Sequence, residues 1–110
     1  MQPTPFTLHM IAQEVAGYFD LTLTDLVIHK RAMDCRFPRQ LAHYLCRQAG
    51  ASYPQIATAL NRHHSTIMHS VRVVEWRLLY EPLWALRIKA LQAALIRESF
   101  APDELADSPR

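Results

Sequence analysis

Side chains able to hydrogen-bond to bases are concentrated in one short run of this 110-residue chain, Asn61–Thr66. The run reads Asn-Arg-His-His-Ser-Thr. An Arg side chain donates two hydrogen bonds to guanine, Asn pairs with adenine, and the hydroxyls of Ser and Thr both donate and accept. The run therefore predicts a surface that reads base edges in the major groove of double-stranded DNA.

Catalysis, metal binding and nucleotide binding through a P-loop fit this sequence less well. Neighbouring residues of a helix, such as His63–Thr66, do not face one another in the geometry that proton transfer needs, so we expect no enzyme activity. His43 and Cys46 lie three apart and further histidines follow, but the spacing matches no standard zinc finger. The chain also has no GxxxxGK[ST] motif, which excludes a P-loop. We expect no metal, no cofactor and no use of ATP by this chain itself.

The charged residues are segregated along the chain. Residues 30–77 contain eight Lys or Arg and two acidic residues, a net charge of +6, whereas the remainder carries −4. Such segregation favours a localised surface for a polyanion, with a solvated charged face that binds nothing as the alternative. Nucleic acid is the leading class of partner.

Apolar residues at helical spacing predict the elements that position this run. A stripe that begins at Leu8 predicts the first helix, with Thr7 as its N-cap. Thr22 and Asp25 have the spacing of a capping box, which opens a short second helix that ends near His29.

The middle of the chain continues the helical pattern after a break. Residues 30–37 are charged and have no clean period, which predicts a loop. Pro38 suits the first turn of a third helix, and Gly50 is its expected C-cap. Ser52 with Gln55 repeats the capping-box spacing and opens a short fourth helix.

Two longer helices complete the prediction. Ile67–Leu78 carries the apolar stripe of a fifth helix, which Pro82 ends or kinks. The sixth helix has its own stripe, formed by Trp84, Ile88, Leu91 and Leu95. We interpret this stripe as intramolecular core, with a homodimer or protein-docking face as the alternative. We expect residues 1–98 to form a single helical domain and residues 99–110 a flexible tail.

A short helix, a turn and a longer helix with a polar first turn have the layout of a helix-turn-helix. Val15–Phe19, Pro38–Ala42, Tyr53–Ile56 and Arg62–His69 follow one another in the order of motifs of a known family. Over roughly residues 11–74 the chain resembles the C-terminal DNA-binding domain, domain IV, of the bacterial chromosomal replication initiator DnaA. The last three segments look like the family's "PRQ.A", "LP.I" and "RDHTTV.H" motifs. The resemblance implies an all-α fold of about six helices with a helix-turn-helix core similar to that of the Trp repressor.

The resemblance also implies roles for matching residues. A basic loop that contains Lys30 and Arg31 would reach the minor groove beside the recognition helix, and residues of the third helix would contact or border the phosphate backbone. The predicted DNA-binding residues are Lys30, Arg31, Arg39, Gln40, Arg47, Asn61, Arg62, His63, His64, Ser65, Thr66 and His69.

Two departures from the family pattern affect the recognition run. His63 stands where the signature has aspartate. A carboxylate that only accepts hydrogen bonds is thus replaced by an imidazole that donates or accepts them. Leu60 and Asn61 replace a pair of glycines before the signature arginine. Because Asn tolerates the left-handed conformation, we expect the turn to form.

From the residues and the resemblance together we expect sequence-specific binding of double-stranded DNA in the control of replication initiation or transcription. The alternative is a protein-interaction adaptor that uses the C-terminal helix and contacts DNA weakly. The chain shows no membrane-spanning run and no secretory signal. We therefore expect it in the bacterial cytoplasm, at the nucleoid.

Overall fold

The computed structural model describes residues 3–28 and 35–107, with side chains described as far as residue 95. Lys30 and Arg31, both predicted to contact DNA, lie outside the described residues, as does His29. The described residues form six α-helices and no strand, which confirms the predicted fold class. The helices are α1 (Pro5–Tyr18), α2 (Leu23–Val27), α3 (Arg36–Gln48), α4 (Tyr53–Ala59), α5 (His64–Tyr80) and α6 (Pro82–Asp107).

Helix α1 begins earlier than its apolar stripe indicates. Thr4 is the N-cap, since its side chain accepts a hydrogen bond from the backbone N–H of Thr7, and Pro5 occupies the first turn. The prediction of Thr7 as N-cap is therefore wrong. The first turn of α1 contributes no residue to the core before Leu8, so the apolar stripe could not reveal it.

The predicted capping boxes are both present. In α2 the Thr22 hydroxyl accepts from the Asp25 N–H, and the Asp25 carboxylate accepts from the Thr22 N–H at 2.9 Å. Ser52 and Gln55 make the same reciprocal pair at the start of α4. These pairs satisfy backbone donors that the first turn of a helix leaves without partners.

Helix α3 begins at Arg36, two residues before the predicted start at Pro38. Its C-cap is Ala49, one residue before the predicted Gly50. Gly50 follows with a φ of 103°, which glycine adopts without a steric penalty. The N–H groups of Gly50 and Ala51 donate back to the last turn of α3, a Schellman motif that turns the chain toward α4.

The core lies where α3 packs between α1 and α5, with α4 and α6 packed against α5. Its fully buried side chains include Leu8, Leu41, Ile56, Ile67 and Ile88. Each of these residues comes from a different helix, so the start of α5 is held from several sides.

Helix α6 packs its predicted stripe inward. Ile88, Leu91 and Leu95 are buried, and Trp84 lies 4.5 Å from Phe37 between ring centroids. The stripe is thus intramolecular core, as predicted. Arg77 closes this cluster, with its guanidinium 4.4 Å above the Phe37 ring and its Nη1 donating to the Glu81 carboxylate.

The backbone of α6 remains helical to Asp107, beyond the point where the sequence predicts a tail to begin. The flexibility of residues 99–110 stays a prediction. Of the helices in the part of the chain that is described, none is both long and apolar enough to span a membrane.

Candidate nucleic-acid interface

The turn between α4 and α5 is built on a residue in the left-handed conformation. Leu60, the C-cap of α4, is 1% exposed and anchors the turn in the core. Asn61 follows with a φ of 56°, and the Arg62 N–H donates to the Ala57 carbonyl. The expectation that Asn61 replaces a glycine without loss of the turn is confirmed.

The polar side chains of this turn bond to the end of α2. Asn61 Nδ2 donates to the Val27 carbonyl at 3.1 Å, and Arg62 Nη2 donates to the Ile28 carbonyl at 2.9 Å. Arg39 Nη2 donates to the Ile28 carbonyl from the other side, at 3.1 Å. Carbonyls at the end of a helix lack partners within that helix, and these side chains supply them.

Two guanidinium groups therefore converge on one carbonyl oxygen. Arg39 is 8% exposed, so most of its side chain lies inside the domain. A contact with the DNA phosphate backbone would require that side chain to lie on the surface. Arg62 is half-buried, and burial together with the nearby Arg39 lowers its pKa. Arg62 donates through one Nη group, so a guanidinium with five N–H bonds keeps donors for a phosphate or a base.

A buried polar pair joins α3 to α5 directly behind this cluster. His43 Nδ1 and Ser70 Oγ lie 2.8 Å apart, and both residues are 2% exposed. Burial, and then the charges of Arg62 and Arg39, lower the pKa of His43 from 6.5 to about 3. His43 is therefore neutral at physiological pH. Both residues are polar and are not among the apolar residues that predict the core, so this contact could not be predicted from the sequence.

The first turn of α5 presents the predicted recognition residues to solvent. His63 is the N-cap, and the three residues after it are exposed as the motif predicts. The His63 and His64 rings stack, with centroids 4.6 Å apart. Ile67 begins the buried face of the same helix. The first turn of α5 is thus a polar, exposed surface on a helix whose other face is packed in the core.

One face of α5 extends this surface along the helix. Ser65, His69 and Arg72 follow the i, i+4, i+7 spacing of a single helical face, and all three are exposed. The prediction included His69 but missed Arg72. The spacing between Ser65 and Arg72 is the sequence pattern that places Arg72 on this face.

The remaining predicted residues lie on α3. Arg47 is exposed near the start of α4, where its guanidinium donates to the Ala51 carbonyl and lies 4.6 Å above the Tyr53 ring. Gln40 is half-buried. Among the described residues no group of three or more His, Cys, Asp or Glu lies close enough to hold a metal ion.

Comparison with known families gives a match over more than half of the chain. A family profile described as "Bacterial dnaA protein helix-turn-helix" matches residues 8–74, which include α2, α3, α4 and the first part of α5. The match covers every described residue that the sequence predicts to contact DNA.

Individual relatives agree with the profile. The chromosomal replication initiator protein DnaA of Lactococcus lactis subsp. cremoris is 41% identical over 70 residues, which is 62% of this chain and 15% of the relative. The DnaA proteins of Geobacter sulfurreducens (44% over 71 residues) and Ruegeria pomeroyi (34% over 91 residues) are also similar. They align with 63% and 81% of this chain, but the aligned parts are 16% and 19% of the relatives. The chain therefore spans less than a fifth of these relatives.

A solved structure shares the fold. The crystal structure of a DNA replication initiation factor superposes with a TM-score of 0.70 at 30% sequence identity. The superposition covers 89% of this chain and 29% of that chain. The arrangement of the helices in this chain is thus similar to that in a solved DNA replication initiation factor.

Proposed function

The chain belongs to the family of bacterial DnaA helix-turn-helix domains, and from this premise we propose that it binds specific sites on double-stranded DNA through the first turn of α5. The observation that carries the proposal is the exposed row that begins at His63 and ends at Thr66, on a helix whose opposite face is buried. An exposed helix start of this kind fits the major groove, where each base pair shows a distinct pattern of donors and acceptors.

The proposed contacts divide into two classes. His63, His64, Ser65 and Thr66 lie at the exposed start of α5 and supply the contacts to base edges. Cationic and polar side chains beside this surface hold the phosphate backbone. We assign that role to Arg47, Arg62, His69, Arg72 and Gln40, and to Lys30 and Arg31 outside the described residues.

Arg39 is given a different role from the one the sequence predicts. Its guanidinium donates to the Asp25 and Ile28 carbonyls inside the domain. We propose that Arg39 fixes the end of α2 against the helix-turn-helix and supports the DNA-binding surface from behind.

At the level of the cell, we propose that the protein occupies sites similar to those of DnaA near an origin or a promoter, in the bacterial cytoplasm at the nucleoid. The relatives are named as chromosomal replication initiators, which favours a role linked to initiation. Such a protein would compete with the initiator for sites or regulate a neighbouring gene, with no covalent change to the DNA.

Titration of the purified protein into two labelled duplexes tests the proposal. One duplex contains a DnaA box and the other a scrambled sequence, and each is measured at several salt concentrations. Because phosphate contacts carry the salt dependence, specific binding keeps its preference as salt rises. If the protein does not prefer the DnaA-box duplex to the scrambled one, the sites that it binds are selected from a random duplex library. A library without an enriched site would refute the proposal.

Thr66→Ala is the informative variant, with Thr24→Ala as its matched control. Both threonines are exposed, but Thr24 lies on α2, away from the proposed recognition turn. We expect Thr66→Ala to weaken specific binding and Thr24→Ala to leave it unchanged. Arg62→Ala is less informative, because it also removes a bond to the Ile28 carbonyl.

A second candidate function, that of a protein-interaction adaptor, is favoured by exposed apolar residues where α5 meets α6. Leu79, Leu83 and Leu86 are 76%, 73% and 67% exposed. An adaptor would retain its activity in Thr66→Ala and lose it in a Leu83→Asp, Leu86→Asp double variant. Leu91 and Leu95 do not serve for this test, because both are buried and an aspartate there would unfold the domain.

A further inference from the structure

His63 has one ring nitrogen committed to the protein. Its Nδ1 accepts a hydrogen bond from the Ser65 N–H at 3.2 Å and lies 2.8 Å from the Ser65 hydroxyl. A ring nitrogen that accepts a backbone N–H carries no proton. In the neutral ring the proton is therefore on Nε2, which makes no hydrogen bond to the described residues.

The orientation of this N–H is fixed by three features of the site. His63 has the extended backbone of an N-cap, with φ −69° and ψ 145°. Its ring is tied to Ser65 through Nδ1 and stacks on the His64 ring at an interplanar angle of 26°. The side chain is exposed at the helix end that the proposed function places in the major groove.

We propose that His63 is a specificity-determining residue that presents a single N–H donor to the bases and so selects a base with acceptors on its major-groove edge, guanine first. Guanine shows two acceptors there, N7 and O6, whereas cytosine shows only an amino donor. If the His63 N–H faces the cytosine amino group, both are donors and neither has an acceptor. Cytosine is therefore rejected on the contacted strand. This inference rests on the proposed function and names the chemistry of one of its contacts.

Two substitutions change the hydrogen-bonding pattern while they preserve the helix cap. Asp and Asn are both favourable N-caps, so His63→Asp and His63→Asn keep the bond to the Ser65 N–H. Asp presents acceptors alone, which suit the cytosine amino group, and Asn pairs with adenine through N6 and N7. Thr24→Asp is the matched control, because it adds the same charge to an exposed residue of α2, outside the proposed recognition turn.

Selection from a random duplex library with the wild-type protein and the three variants tests the inference. We expect the wild type to favour guanine at one position, with cytosine bound about tenfold more weakly. His63→Asp should prefer cytosine and His63→Asn adenine at that position, while Thr24→Asp keeps guanine there. Circular dichroism checks that every variant is folded.

The outcomes separate this inference from the function it rests on. If the wild type selects a site and folded His63→Asp and His63→Asn select the same site, His63 does not read a base and the inference is wrong. If Thr24→Asp changes that same position in the same way, added charge explains the result and the inference is also wrong. A wild type that selects no sequence overturns the proposed function and the inference together.

Discussion

The buried pair of His43 and Ser70 makes the stability of the domain depend on pH in a direction that the structure determines. The pKa of His43 is lowered from 6.5 to about 3 in the folded protein. Below pH 6.5 the unfolded chain therefore binds a proton that the folded chain does not. The free energy of unfolding falls as the pH falls through this range, and above pH 6.5 the contribution of His43 is constant.

The size of the effect follows from the pKa shift. Each pKa unit corresponds to about 1.4 kcal/mol. Between about pH 7 and pH 5 the unfolded histidine becomes charged while the folded one stays neutral, which lowers the free energy of unfolding by about 2 kcal/mol. This loss is large for a small domain, whose total stability is of the order of 5–15 kcal/mol.

Urea denaturation at several pH values measures this loss. The comparison protein is the double variant His43→Leu, Ser70→Ala, which replaces both partners of the buried pair by apolar groups and leaves neither unsatisfied. Carboxylates titrate in both proteins, so their contribution cancels in the difference. We expect the wild type to lose about 2 kcal/mol more than the double variant between about pH 7 and pH 5.

A parallel loss in the two proteins would refute this reasoning, because it would assign the pH dependence to other groups. The single variant Ser70→Ala gives an independent check. It leaves His43 Nδ1 buried without its partner at 2.8 Å. We expect it to lower the free energy of unfolding by about 1–3 kcal/mol at neutral pH, whereas no loss would show that the bond contributes nothing.

Further predictions concern the turn, the DNA contacts and the last helix. Asn61→Ala should cost about 1–2 kcal/mol in urea denaturation, because alanine tolerates the φ of 56° at this position less well than asparagine does. Asn61→Gly should cost less, and equal losses would contradict this. Thr66→Ala should weaken specific binding by about 1–3 kcal/mol and leave the salt slope unchanged, whereas Arg47→Ala should weaken all duplexes alike and lower the slope by about 1. Leu83→Asp should have the same melting temperature as the wild type, because Leu83 is 73% exposed. Ile88 is 0% exposed, so Ile88→Asp should show the circular dichroism spectrum of an unfolded chain.

Features that depend on neighbouring residues could be predicted from the sequence. The capping boxes at Thr22 and Ser52 need residues three apart, and both are present. The left-handed Asn61 and the break at Pro82 follow from the conformational limits of single residues. The start of α1 was missed because its first turn carries no core residue.

Contacts between distant residues could not be predicted in the same way. Arg39 lies in a motif, and its type and position are consistent with a phosphate contact. The structure instead buries it and bonds it to carbonyls 11 and 14 residues away in the chain. The pairing of His43 with Ser70, 27 residues apart, has no periodic signature either. A motif specifies which residue occupies a position, but only packing decides which way its side chain is directed.

The bonds from Asn61 and Arg62 to the end of α2 affect how mutations at the interface should be interpreted. These side chains hold the start of α5 in place before any DNA is bound, and a surface that is ordered in advance loses less conformational entropy on binding. Replacement of Arg62 therefore alters both the position of the recognition turn and its charge, so its effect on binding exceeds that of a single lost contact. Thr66 makes no such bond to another element among the described residues, and His63 bonds only within its own turn. Changes at Thr66, and changes at His63 that preserve the helix cap, accordingly measure base recognition itself. A large loss at Arg62 with a small loss at Thr66 would place the specificity outside the first turn of α5.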